Sequence, residues 1–88
     1  MKSLPKDIAL PTAEEMIEHL DAQEKQVRRM NFQGLFNLEV QGRRMETAKA
    51  KEKFEDAAAI EDEIEKTELA IEGNKEYLEE IEKMRKLI

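Results

Sequence analysis

Reactive side chains are scarce in this sequence. It holds one histidine (His19), one serine (Ser3), one tyrosine (Tyr77) and no cysteine. Nucleophilic catalysis needs a hydroxyl or thiol beside an imidazole that a carboxylate orients, and Ser3 and His19 give no workable set. His19 follows Glu15 by one helical turn, the spacing of an ordinary i,i+4 ion pair. A carboxylate-bridged metal centre in a helical bundle needs Glu-x-x-His on two helices, and the chain has none. Gly34 and Gly42 stand alone, so no phosphate-cradling loop is expected. Without cysteine, a disulfide scaffold and thiolate metal sites are excluded. The expectation is a non-enzyme with no catalytic residue, metal site or cofactor and no small-molecule substrate. What remains is the chemistry of contact between chains.

The charge distribution narrows the kind of contact. Residues 1–44 carry seven basic and seven acidic side chains, and residues 45–88 carry eight basic and fourteen acidic ones, which accounts for the net charge of −6. The acidic half would repel a polyanion, so direct nucleic-acid binding is not expected and protein partners are. Its carboxylates, Glu61, Asp62, Glu65, Glu68, Glu72, Glu76, Glu79 and Glu80, are interleaved with lysine, as on a solvated helix face. No stretch approaches the roughly 20 apolar residues that a membrane helix needs. No apolar run follows Met1-Lys2-Ser3-Leu4-Pro5, so no signal peptide is visible and a cytoplasmic location is expected.

The composition predicts the elements that present these surfaces. The chain has 88 residues, 41% charged and 40% hydrophobic, with 3 Gly and 2 Pro, a mix typical of long helices and coiled coils. Pro5 and Pro11 break periodicity, so residues 1–11 form an irregular leader whose Leu4, Ile8 and Leu10 either fray or tack onto a helix. Thr12-Ala13-Glu14-Glu15 has the capping-box form and starts a helix. Met16, Ile17, Leu20, Val27 and Met30 follow at helical spacing. Residues 31–42 are ambiguous. Phe36, Leu38 and Val40 alternate as in a strand, but a strand would have no partner. Read as a helix, Phe32, Leu35, Phe36, Leu38 and Val40 cover most of its circumference, which marks either a binding or dimerisation surface or ordinary core.

The second half carries a heptad seam. Ala57, Ile64, Ile71 and Leu78 recur every seven residues, accompanied by Ile60, Thr67, Asn74, Ile81 and Ile88. Gly73-Asn74 either interrupts this helix or passes through it. A turn near Lys53-Phe54-Glu55 would separate arms of about residues 12–52 and 54–88. Packed antiparallel, they place Met16 and Leu20 near Ile88, and Met45 near Ile60. The predicted fold is therefore all-α: one antiparallel helical hairpin or coiled coil. So long a hairpin leaves apolar surface exposed, so it is expected to complete a four-helix bundle with its own copy or with a partner.

Residues 45–64, Met-Glu-Thr-Ala-Lys-Ala-Lys-Glu-Lys-Phe-Glu-Asp-Ala-Ala-Ala-Ile-Glu-Asp-Glu-Ile, resemble the UVR motif. That short helical hairpin occurs in the excision-repair proteins UvrB and UvrC, in ClpC-type chaperones and in McsA regulators. Met45, Ala48, Phe54-Glu55, Ala57-Ala58, Ile60, Asp62 and Ile64 fall at the family's spacing without a gap. Glu61 departs from the family's arginine and Glu52 from a commonly apolar position, and the resemblance covers about twenty residues. It implies a docking hairpin, with a repair subunit or a Clp-type chaperone as the partner, and Phe54, at the turn, is expected to wedge between the arms. The residues expected to contact a partner are Phe32, Leu35, Phe36, Leu38, Met45, Phe54, Ala57, Ala58, Ile60 and Ile64.

Three functions compete. The first is an interaction module or adaptor that docks through the hairpin. The second is a small acidic inhibitor, of the kind phages use, that mimics nucleic acid and blocks a basic site on a host protein. The third is a structural homo-oligomeric coiled coil. Salt separates the first two, because an electrostatic mimic loses affinity steeply with ionic strength.

Overall fold

The computed structural model describes residues 8–88 and consists of two helices joined by a tight turn. α1 spans Ala13–Ala50 and α2 spans Phe54–Leu87. They lie antiparallel and give a rod of 67 × 23 × 20 Å. The predicted all-α helical hairpin is the fold. Residues 31–42 are continuous helix, and α2 runs unbroken through Gly73-Asn74. Leu4 and Pro5 lie outside the described residues. Ile8 and Leu10 are non-helical and exposed, so they do not tack onto a helix.

The capping box forms as the sequence predicts. The Glu15 amide donates to the Thr12 hydroxyl oxygen at 3.1 Å, and the Thr12 amide donates to the Glu15 carboxylate at 3.2 Å. That carboxylate is thereby turned away from His19, which joins no ion pair among the described residues.

The turn is a Schellman motif, in which two amides beyond the helix satisfy its last carbonyls. The Lys53 amide donates to the Ala48 carbonyl at 2.8 Å and the Glu52 amide to the Lys49 carbonyl at 3.0 Å. Glu52 holds the left-handed position with φ 58°, where glycine is usual. A side chain there costs about 1–2 kcal/mol. The tight closure of the motif offsets that cost and returns the chain directly against α1. Phe54 then opens α2, with Glu55 and Asp56 beside the positive end of its dipole.

One inner stripe on each helix makes the seam. On α1 it is Leu20, Glu24, Val27, Asn31, Gly34, Leu38, Gln41, Met45 and Ala48, in alternating steps of four and three. On α2 it is the predicted heptad series from Ala57 to Ile81, continued by Arg85. The register is direct. Ala48 and Ala57 pack beside the turn with Ile60, Met45 and Ile64, and midway a Cβ on Gly34 would sit 3.0 Å from Ile71 Cγ1. One residue forward on α1 therefore answers one residue back on α2, which sets Asn31 level with Asn74. At the open end, Met16, Leu20 and Ile88 line one recess, as the hairpin reading expects. The α1 stripe differs from expectation in part. Leu20 and Val27 are buried, but Ile17 and Met30 are exposed, at 42% and 53%, because the seam continues through Glu24 and Asn31 instead.

Candidate protein-binding surface

The middle of α1 is inverted relative to an ordinary amphipathic helix. Its inner positions are Asn31, Gly34, Leu38 and Gln41, of which only Leu38 is a large apolar residue. Its outer positions are Phe32, Leu35 and Phe36, exposed by 71%, 49% and 56%. The cause is spacing. Once Leu20, Val27 and Ala48 commit α1 to one inner stripe, the period of 3.6 residues carries the two rings to the opposite side. Phe32 and Phe36 stand one turn apart, with Leu35 on their flank.

Charge borders this apolar surface. Arg28 and Arg29 precede it and Arg43 and Arg44 follow it. Arg28 pairs with Glu24 at 3.3 Å, Arg43 with Glu39 at 3.1 Å, and Arg44 reaches across to Glu63 at 3.5 Å. Gln33 and Asn37 bond to each other at 3.0 Å on a neighbouring strip. The surface is thus apolar at its centre and bordered by ion pairs, with Arg29 the one flanking arginine in no ion pair among the described residues.

The ten residues expected to contact a partner fall into two groups. Phe32, Leu35, Phe36, Phe54 and Ala58 are exposed, whereas Leu38, Met45, Ala57, Ile60 and Ile64 lie in the seam between the arms. Within the UVR-like stretch, Met45, Ala48, Ala57, Ile60 and Ile64 therefore hold this hairpin together. Phe54 does not wedge between the arms, since it stands 68% exposed. Ala48, Ala57 and Ile60 occupy the seam beside the turn instead.

Sequence reasoning missed a polar clasp near the open end. Arg85 donates to Asp21 at 2.7 Å, to Glu24 at 3.1 and 3.2 Å, and to Glu82 at 2.6 Å. The hydrogen bond from Arg85 holds the Glu24 carboxyl below the usual carboxylate range, and the bond to Glu24 raises Arg85 in turn. The heptad itself carried the signal, because Arg85 is seven residues beyond Leu78.

Among the described residues, no group of three histidine, aspartate or glutamate side chains is placed to hold a metal ion, and no helix is long and apolar enough to cross a membrane. No family model, no curated protein and no solved structure matches the chain.

Proposed function

We propose that this protein is a non-catalytic interaction module, a helical hairpin that docks onto another protein chain through the outer face of α1. One observation carries the reading. Phe32, Leu35 and Phe36 are large, apolar and exposed, while polar residues occupy the inner positions of the same turns. Aromatic side chains on an otherwise charged surface are the usual anchors of protein interfaces. Rigid presentation on a helix lowers the conformational cost of docking. The UVR-like stretch supports the same class of function, with Phe54 as a further anchor near the turn and a repair subunit or Clp-type chaperone as the partner that the resemblance implies.

The test compares proteins retained from cell extract by the wild-type chain and by a Phe32→Ser/Phe36→Ser variant. The expected result is loss of the retained partner with an unchanged helical spectrum and melting temperature. A partner retained equally by both proteins overturns the reading, and so does unfolding of the variant, which would make the two rings core. At Phe54, Phe54→Ala should weaken docking by about 2 kcal/mol.

A second reading, a small acidic inhibitor that occupies a basic site on another protein, draws on the crowd of acidic side chains along exposed α2. It requires binding that falls steeply with salt and survives loss of the two rings.

A further inference from the structure

The two outer edges of the hairpin are complementary to each other yet face opposite ways. On α1, Lys25, Arg29, Phe32, Phe36, Glu39 and Arg43 form an exposed series in steps of four and three. On α2, Asp62, Lys66, Leu69, Gly73, Glu76 and Glu80 form an exposed series with the same steps. Each lies on the side of its helix that points away from the seam, so the two cannot meet within one chain.

They match when set against each other antiparallel. With Phe36 on Leu69, Phe32 falls over Gly73, Arg29 against Glu76 and Lys25 against Glu80. The same alignment sets Glu39 against Lys66 and Arg43 against Asp62. Every charged position meets its opposite, and no like charges face each other. Sliding by one heptad puts Arg29 on Lys83 one way and Phe36 on Asp62 the other. A parallel setting puts Arg29 on Lys66 and Glu39 on Glu76. Leu69 is 62% exposed, and nothing lies within 4 Å of where a Gly73 Cβ would stand, which leaves a recess for the Phe32 ring. Lys25, Arg29, Asp62 and Glu76 make no ion pair among the described residues. The alignment is also level with the internal one, in which Gly34 faces Ile71, so neighbouring copies would stand side by side without stagger.

We propose that the occupant of the α1 outer face is a second copy of this chain, which presents the outer stripe of its α2 antiparallel and in register. This rests on the reading of that face as a docking surface. The contact is heterologous, so each copy keeps one free stripe and growth continues past two chains until a ring closes or the row ends. Neighbours touch only neighbours, as in solenoid arrays. The apolar centre is small and ion pairs carry the rest, so association is weak and salt-sensitive.

The experiment is light scattering on the full chain across a dilution series reaching millimolar concentration, at low and high salt. Two variants block one stripe each: Phe32→Asp/Phe36→Asp on α1, and Glu76→Arg/Glu80→Arg on α2. All four side chains are exposed, and circular dichroism checks that both variants fold. The wild type should exceed the mass of a dimer as concentration rises, and high salt should weaken association about ten-fold or more. Each variant alone should stay monomeric, while their equimolar mixture should form a particle of two chains and no larger, because one intact stripe of each kind remains.

A wild-type monomer at every concentration overturns the proposal, as does a mixture that does not pair. An α2-blocked variant that still dimerises overturns it in favour of a symmetric contact. A monomeric wild type that binds a single-stranded oligonucleotide through Arg29 overturns it in favour of a polyanion. A monomeric wild type that retains another protein through Phe36 overturns self-assembly alone. Assembly untouched by Phe32→Asp/Phe36→Asp overturns the docking face as well.

Discussion

The turn end and the middle of the hairpin solve the same packing problem in opposite ways. Beside the turn, Ala48, Ala57 and Ile60 are buried, with Met45 and Ile64 packed against them. In the middle, Asn31, Gly34 and Gln41 face α2, and the Asn31 Oδ1 and Gln41 Oε1 atoms are buried without a hydrogen-bond partner. Buried, unpaired acceptors cost about 1–3 kcal/mol each. The hairpin therefore draws its cohesion from its two ends, since Leu20, Val27 and Ile81 are buried toward the open one as well. The middle tolerates polar inner positions, and its aromatic matter faces outward. Polar residues in a seam also specify register, and Asn31 level with Asn74 is placed to do so. Buried and exposed apolar side chains are thus separated along one helix, a few turns apart.

Removing apolar volume at the turn end should have the largest effect. Ile60→Ala is expected to destabilise by about 3 kcal/mol, read by urea unfolding. In the middle the sign should reverse. Asn31→Leu removes an unpaired buried acceptor and is expected to stabilise by about 1–2 kcal/mol, and destabilisation there would mean that the Asn31 amide is satisfied in solution. Glu52→Gly relieves the left-handed residue of the turn and should raise stability by up to about 1 kcal/mol, visible as a higher melting temperature.

The open end differs from both in responding to pH. Glu24 is depressed in the folded state by Arg85. Its contribution is present above the ordinary carboxylate range and is lost as pH falls through the lower folded value. The acid-induced drop in melting temperature should shrink in Arg85→Leu. An identical drop in both proteins would remove the clasp as its cause. The smallest effect belongs to the outer face. Phe36→Ser should change monomer stability by only about 0.5 kcal/mol or less, and a larger loss would place that ring in a core.

Legibility in the sequence followed the same division. The α2 stripe was readable because Ala57, Ile60, Ile64, Ile71, Leu78 and Ile81 are apolar at heptad spacing. Its α1 counterpart was only half readable, because Glu24, Asn31, Gly34 and Gln41 occupy inner positions and hydrophobic periodicity cannot detect them. Met30, apolar and one position before Asn31, fits the hydrophobic spacing although it stands exposed. The turn was placed within a few residues but not its form, since a left-handed cap is recognised by glycine and here Glu52 fills it. For the candidate surface, Phe32, Leu35 and Phe36 were legible as a run too apolar for one face. Which of them would face outward was not, because that depends on where α2 lies. Leu38 sits within the same run and turns inward.

A seam that a three-residue turn closes at one end resembles a zip fastener. Contacts such as Ala48 with Ala57 link residues close in sequence, so they close at low entropic cost, while those at Arg85 must wait for the whole length between. Folding is expected to start at the turn and run outward. Amide hydrogen exchange should then be slowest around Ile60 and quicken toward Leu20 and Ile81, with Arg85 acting as the catch that is set last and released first.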